Sequence, residues 1–152
     1  MGADFAGMDY QKLRLEKLFD CLDAFVVEWD AQGEVIYVNA NLCELRGCTP
    51  ADLLGRSVFE TLFPGKYADQ WDQARMSFVR SIPVADYRAT FPDMLGKEHT
   101  VLWTTALRTQ ASGRLSSVIA FGIDITELSI AMHSLKDLTQ TLEKVFGVVA
   151  PA

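Results

Sequence analysis

The stretch FVVEWDAQGEVIYV, residues 25–38, consists of two apolar runs on either side of the polar turn sequence DAQG, residues 30–33. Valine, isoleucine and aromatic residues that flank a glycine-containing turn are typical of a β-hairpin. The sequence therefore predicts two antiparallel strands here, over residues 25–29 and 34–38.

The chain after this hairpin changes to short helical segments. Residues 40–46 predict a helix that Gly47 ends, and a second short helix is expected to end at Gly55. Residues 66–81 carry a longer helix-like pattern, which Pro83 stops because proline cannot continue a helix. Short helices are therefore expected between two sheet segments.

Three further strands are predicted in the second half of the chain, over residues 84–91, 99–108 and 115–123. Two strands, a run of helices and three strands indicate an α+β fold, with an antiparallel sheet and the helices gathered on one face. In the last two strands both faces carry apolar residues. Something must therefore cover the second face, and the candidates are a leading helix and a partner subunit.

Amphipathic helices are predicted on both sides of this core. The leading helix carries a stripe with i, i+3, i+4, i+7 spacing, formed by Leu15, Leu18, Phe19 and Leu22. The trailing helix starts at DITE, residues 124–127, which resembles a capping box, and its stripe alternates three- and four-residue spacings as in a coiled coil. The members of this second stripe are Leu128, Ala131, Leu135, Leu138, Leu142 and Val145.

The trailing stripe is narrow and flanked by charged residues, which favours a parallel coiled coil. A helix that folds back on its own domain would show a similar pattern. The predicted organisation is a flanking helix over residues 1–23, a core over 24–126, and a signalling helix with a tail over 127–152. The predicted dimerisation residues are Leu15, Leu18, Phe19, Leu22, Leu128, Leu135, Leu138 and Leu142.

Four segments stand in a defined order: WDAQGEVIYVN (29–39), CELRG (43–47), LLGR (53–56) and GIDITE (122–127). Together they make the chain resemble a PAS domain over about residues 18–127, with DITE as the most specific part. The resemblance implies a five-stranded antiparallel sheet with short helices on one face, a pocket between them and a C-terminal signalling helix. It also implies a larger protein, with an output domain such as a histidine kinase or a cyclase.

The resemblance also restricts the ligand, because PAS subfamilies differ in the residue that holds the chromophore. Val58 stands where photoactive flavin domains have their reactive cysteine, so cysteinyl-flavin photochemistry is excluded. Gly122 stands at the position of a flavin-binding glutamine, and Gly65 at that of the cysteine in hydroxycinnamoyl photoreceptors. Residues 66–81 contain no histidine to bind a haem iron, which disfavours haem.

Two hypotheses remain for the interior, a ligand pocket and plain core packing. Non-covalent FAD and a small apolar molecule are the options for a ligand, because Ala120 and Gly122 leave room. Tyr87 and Thr104 would supply the orienting polar groups. The predicted lining is Val27, Trp71 near the rim, Phe78, Tyr87, Leu102, Thr104, Ala120 and Gly122.

Charge and hydropathy exclude several partners. The formal net charge is −6, which lacks the positive field that attracts nucleic acid or anionic lipid. No apolar stretch approaches the roughly 18 residues that span a bilayer, so no membrane insertion and a cytoplasmic location are expected. The three cysteines include no Cys-x-x-Cys pair, which predicts reduced and mostly buried thiols.

Both histidines have plain interpretations. His99 opens a strand and is expected to be packed or solvent-facing, since a metal site needs more ligands. His133 is expected on the surface, and its similarity to a kinase phosphoacceptor is thin. The sequence has no Ser-His-Asp order and no phosphate-binding glycine loop, so an enzyme is not predicted.

The predicted function is that of a sensory and dimerisation module in a larger signalling protein. It would form a homodimer and pass the state of its pocket, or of a partner, to an output domain through the C-terminal helix. Asp124 and Thr126 are the predicted relay residues. The alternatives are a flavin- or haem-holding redox or gas sensor, and a small enzyme with a PAS-like pocket.

Overall fold

The computed structural model of the chain describes residues 23–147. Its strands are β1 (Phe25–Asp30), β2 (Val35–Val38), β3 (Tyr87–Pro92), β4 (Glu98–Thr109) and β5 (Leu115–Asp124). Its helices are α1 (Ala40–Arg46), α2 (Pro50–Leu53), α3 (Val58–Thr61), α4 (Lys66–Asp69), α5 (Asp72–Val79) and α6 (Thr126–Phe146). These elements confirm the predicted α+β order of two strands, short helices, three strands and a C-terminal helix.

The five strands form one sheet in the order β2-β1-β5-β4-β3, and every neighbouring pair is antiparallel. In one row across the sheet, Phe25 of β1 lies opposite Gly122 of β5, and Gly122 lies opposite Trp103 of β4. The same row ends at Tyr87 of β3, opposite Trp103. Trp103 therefore lies well inside the face of the sheet that the short helices cover.

Two boundaries differ from the sequence prediction. The helix predicted over residues 66–81 is divided into α4 and α5, and Trp71 between them has φ −96° and ψ 0°. At this break the Gln70 side-chain amide hydrogen-bonds Thr90 of β3, which ties the chain between the two helices to the sheet. Strand β3 begins at Tyr87 because Asp86 has φ +52°, which bends the chain just before it.

The transition from β2 to α1 is fixed by the buried side chain of Asn39. Its Oδ1 accepts hydrogen bonds from Val26 N at 3.0 Å and Leu42 N at 3.3 Å, and its Nδ2 donates to Ala24 O at 2.8 Å. The bond from Leu42 caps α1, and the other two hold β1. Leaving the buried Asn39 amide unpaired would cost about 1–3 kcal/mol. The chain therefore keeps these three hydrogen bonds, which hold the start of α1 next to β1.

An aromatic core fills the space between the sheet and the short helices. Trp71 precedes α5 and is fully buried, and its ring centroid lies 5.1 Å from that of Phe63 and 5.6 Å from that of Trp103. Such pairs stabilise the fold by about 0.5–1.5 kcal/mol each beyond their buried area. The members of the aromatic core are Phe25, Trp29, Phe59, Phe63, Trp71, Phe78, Tyr87, Phe91 and Trp103.

Gly122 is the position where this core allows no side chain. A Cβ atom built there would lie 2.7 Å from Trp103 Cζ3 and 2.7 Å from Val101 Cγ1. Real Cβ contacts are longer than this, so the indole of Trp103 rests directly on the glycine backbone. The room that the sequence suggested beside Gly122 is therefore taken up by Trp103.

The opposite face of the sheet also carries apolar side chains, as the sequence predicts. Leu102 and Phe121 are half-buried there, and Ile123 is 58% exposed. The leading helix, one predicted cover for this face, lies outside the described residues apart from Asp23. The predicted dimerisation residues that lie outside them are Leu15, Leu18, Phe19 and Leu22.

Helix α6 follows β5 directly and extends for 21 residues. Its N-cap residue is Ile125, whose side chain cannot cap, so the predicted capping box is not formed. Instead Asp124 Oδ1 accepts a hydrogen bond from Thr126 N at 2.9 Å. No helix within residues 23–147 is long and apolar enough to cross a membrane.

Gly122→Ala is expected to lower the free energy of unfolding by about 1–3 kcal/mol, because the added methyl overpacks the core against Trp103. Urea denaturation followed by far-UV circular dichroism measures this change. The matched control is Ala106→Val, which adds two methyl groups at an exposed position of β4 and is expected to change stability by less than about 0.5 kcal/mol. Equal stability of Gly122→Ala and the unmodified chain would contradict the contact.

Candidate sensor core and signalling junction

Most of the predicted ligand-binding residues meet on the inner face of the sheet. Val27, Trp71, Phe78 and Ala120 are buried, and so is Gly122. Trp71, expected near the rim, is instead fully buried at the centre. The predicted residues that lie together are Val27, Trp71, Phe78, Tyr87, Ala120 and Gly122.

Leu102 and Thr104 do not join this group. They flank Trp103 in β4, and successive side chains of a strand point to opposite faces, so both lie on the outer face. Thr104 is exposed and pairs with Phe121, and Leu102 pairs with Ile123. The expected lining is thus corrected: β4 contributes Trp103 to the inner face, a residue that the predicted lining left out.

The polar groups expected to orient a ligand have other roles. The Tyr87 hydroxyl donates a hydrogen bond to Gln70 O, which ties β3 to the break between α4 and α5. Burial raises the pKa of Tyr87, and the nearby Asp72 carboxylate raises it further. Thr104 lies on the outer face, so no orienting group comes from it.

Two donors in the core have no hydrogen-bond partner within the described part of the chain. They are Trp71 Nε1 and Trp103 Nε1, and both side chains are fully buried. A buried donor without a partner costs about 1–3 kcal/mol. A hydrogen-bond acceptor placed beside either indole would recover this free energy.

The interior does not fit the isoalloxazine rings of FAD in this arrangement. Phe63, Trp71 and Trp103 are fully buried with ring centroids 5.1 to 5.6 Å apart, and a three-ring cofactor would have to displace them. Haem would also need an axial ligand from this interior. The two histidines of the chain, His99 and His133, both lie outside the aromatic core.

The base of α6 is joined to the core by a group of three side chains, the carboxylate–histidine clamp: Asp93, His99 and Asp124. His99 Nδ1 lies 2.7 Å from Asp124 Oδ2, and His99 Nε2 lies 3.0 Å from Asp93 Oδ2. The clamp connects the β3–β4 turn, the first residues of β4 and the end of β5. His99 is therefore the centre of an ion-pair network, although the sequence suggested only a packed or solvent-facing side chain.

The contacts within the clamp change the pKa values of its three residues. Burial by itself lowers the pKa of His99, but hydrogen bonds with Asp93 and Asp124 outweigh it and raise the pKa above its ordinary value of 6.5. The hydrogen bond with His99 lowers the pKa of Asp93. Burial raises the pKa of Asp124, but hydrogen bonds from Thr126 and His99 lower it overall.

The predicted relay residues Asp124 and Thr126 are in direct contact. Asp124 Oδ1 accepts from Thr126 Oγ1 at 2.5 Å, and Thr126 Oγ1 accepts from Thr100 N at 2.9 Å. Ile125 N donates to Thr100 O at 2.8 Å. The first turn of α6 is thus bound to both β5 and β4.

The apolar stripe of α6 is exposed, with Leu128 at 58%, Leu135 at 64%, Leu138 at 55% and Leu142 at 45%. Helix α6 contains no buried residue.

No group of three or more His, Cys, Asp or Glu suited to a metal ion occurs within residues 23–147.

A family model described as the PAS fold matches residues 19–130. No curated protein matches the chain. The PAS domain of an HTR-like protein from Haloarcula marismortui is similar with a TM-score of 0.59 and 21% identity, over 82% of this chain and all (100%) of that one. The PAS domain of BvgS from Bordetella pertussis has a TM-score of 0.53 and 20% identity, over 86% of this chain and 98% of that one.

A receptor described as an RNA-binding Light-Oxygen-Voltage receptor has a TM-score of 0.70 and 16% identity, over 83% of this chain. The match spans only 36% of the receptor's length. At these levels of identity the likeness concerns the fold.

His99→Gln is expected to reduce the free energy of unfolding more at about pH 5.5 than at about pH 8.5. The raised pKa means that charged His99 stabilises the fold fully below 6.5, and this contribution is lost as the pH rises through the raised value. Asp93 and Asp124 have lowered pKa values, so their charged forms contribute stability that is fully present above their ordinary pKa of 3.8. This contribution is lost as the pH falls through the lowered pKa values.

Urea denaturation at the two pH values measures the difference between His99→Gln and the unmodified chain. The control is His133→Gln, because His133 is exposed on α6, with an expected change below about 0.5 kcal/mol. A pH-independent effect of His99→Gln would argue against an ionic role for the clamp.

Proposed function

Because the chain belongs to the PAS fold family, we propose that it is a sensory and dimerisation module that passes the state of its core to α6 through the carboxylate–histidine clamp. One observation carries the proposal: the base of α6 is bound to Asp124 and Thr100, whereas its apolar stripe is exposed. A helix held at one end and unburied beyond it is suited to transmit a displacement to whatever pairs with the stripe.

The occupant proposed for the stripe is a second copy of this chain, in a parallel coiled coil. Pairing two copies would bury the exposed residues Leu128, Leu135, Leu138 and Leu142, with Ala131 and Val145 completing the heptad pattern. In a parallel pair each leucine meets its own counterpart, so the two helices begin side by side at the two clamps. A change at either clamp then alters the crossing of both helices.

The ligand proposed for the core is small, apolar and able to accept a hydrogen bond. Val27, Phe78 and Ala120 supply apolar walls, and the indole N–H groups of Trp71 and Trp103 supply donors. Tyr87 and Gly122 complete the site. A ligand of this kind enters by repacking the aromatic rings, which lie directly against the β4 strand that holds the base of α6.

The remaining parts of the proposal follow from the family. PAS domains are typically sensory and not enzymatic, so no catalytic role is assigned. The proposed setting is a longer cytoplasmic signalling protein, in which an output domain such as a histidine kinase or a cyclase follows α6. The formal charge of −6 supports a protein partner rather than nucleic acid.

Leu135→Glu or Leu138→Glu is expected to weaken the dimer at least tenfold, because each substituted charge faces its twin in the apolar seam. Sedimentation equilibrium at micromolar concentration measures the subunit mass. The control is Gln140→Glu, which adds the same charge on the side of α6 opposite the stripe. An unchanged dimer mass in both leucine variants would contradict the proposed pairing.

Asp124→Asn is expected to speed amide hydrogen exchange several-fold at Ile125, Thr126 and Ser129, since the neutral amide binds His99 and Thr126 more weakly than the carboxylate. Hydrogen–deuterium exchange with mass spectrometry or NMR measures this. Asp137→Asn is the control, because Asp137 lies on exposed α6 beyond the base. If exchange at the base is unaltered, Asp124 does not hold the helix.

A further inference from the structure

Helix α1 ends in a Schellman motif that brings two cysteines together. Gly47 has φ +64°, Gly47 N donates to Glu44 O at 3.2 Å, and Cys48 N donates to Cys43 O at 3.0 Å. In this motif the residue after the glycine and the residue five positions before it commonly touch through their side chains. Those two positions are occupied here by Cys48 and Cys43.

The two cysteines lie at the same end of α1 and differ in exposure. Cys43 is 5% exposed, and Cys48 is half-buried. Both line a surface cleft with Ile36 and Leu54, which are themselves exposed, so a small molecule in the cleft reaches Cys48 first.

We infer that Cys43 and Cys48 are a thiol–disulfide exchange site, which low-molecular-weight disulfides convert to an intramolecular disulfide. A disulfide needs Cα atoms about 4.4–6.8 Å apart and side chains directed at each other. The two backbone hydrogen bonds of the Schellman motif hold the ends of the segment close, and both cysteines line the same cleft. The site is independent of the proposed sensory function.

The thiol–disulfide exchange proceeds in two steps. The Cys48 thiolate attacks one sulfur of glutathione disulfide, which forms a mixed disulfide on Cys48 and releases one glutathione thiolate. Cys43 then loses its proton to solvent and attacks Cys48 Sγ, which closes the internal disulfide and releases the second glutathione. The two cysteines lose two electrons and two protons in total, and one glutathione disulfide becomes two glutathione molecules.

The surroundings of Cys48 set the pH dependence of the first step. Burial raises the pKa of Cys48 above its ordinary value of 9.0, despite the hydrogen bond with Cys43 and the nearby Arg46. The thiolate is the reacting form, and its fraction rises about tenfold per pH unit below the pKa. The initial rate is therefore expected to rise about tenfold between about pH 7 and pH 8.

The test uses the full chain with Cys21→Ser, which leaves Cys43 and Cys48 as its only cysteines. The folded protein is incubated with glutathione disulfide, quenched with acid and digested with trypsin. Cleavage after Arg46 separates the two cysteines into peptides 18–46 and 47–56. The expected product is a linked pair of these peptides, lighter than their sum by two hydrogen atoms and separated again by dithiothreitol.

Single-cysteine variants and unfolding in urea serve as controls. Cys43→Ser is expected to stop at the glutathione adduct on Cys48, and Cys48→Ser is expected to react at least tenfold more slowly, because Cys43 is buried. In 8 M urea the ratio of linked product to glutathione adduct is expected to fall at least tenfold, since the Schellman motif is lost. A lasting Cys48 adduct without linkage in the folded protein, or equal ratios with and without urea, would overturn the inference.

Discussion

The fold depends on the contact between Trp103 and Gly122 across the β4–β5 ladder. The indole lies on the glycine backbone, and its ring meets Phe63 and Trp71. A side chain at position 122 would collide with Trp103 and disturb its packing against Phe63 and Trp71. The aromatic core therefore rests on one residue without a side chain. This arrangement also explains why the interior lacks room for a large planar cofactor: the space that a flavin would need is taken up by indole rings.

A second constraint, electrostatic in origin, joins this core to the exposed helix. His99 stands two residues before Val101, which pairs with Asp124, so the β4–β5 register brings the imidazole to the last carboxylate of the sheet. Its second nitrogen binds Asp93 in the β3–β4 turn. Because Asp124 also accepts from Thr126, one carboxylate serves both the clamp and the first residue of α6.

The sequence predicted the features that local patterns encode and missed those that depend on strand register. The hairpin at residues 25–38 and the helix α6 are recognisable because the spacing of their apolar residues is a property of neighbouring residues. The face of Leu102 and Thr104 depends on the parity and register of β4, and the predicted pocket lining chose the outer face of this strand. The partners of His99 lie 6 and 25 residues away along the chain, and no short-range pattern encodes either. The break at Trp71 arises from Gln70 binding Thr90, a contact 20 residues apart.

The β3–β4 turn is where these contacts converge. Its Asp93 binds His99, while Met94 N donates to Leu45 O at 3.1 Å and Pro92 O accepts from Arg46 Nη1 at 2.8 Å. The turn thus holds the C-terminal end of α1 on one side and the base of α6 on the other. Short contacts of this kind transmit a displacement only if the β3–β4 turn can adopt two distinct conformations. The conformation of this turn is therefore the property that would report such coupling. Loss of the proton from His99 would weaken its contact with Asp93 in this turn.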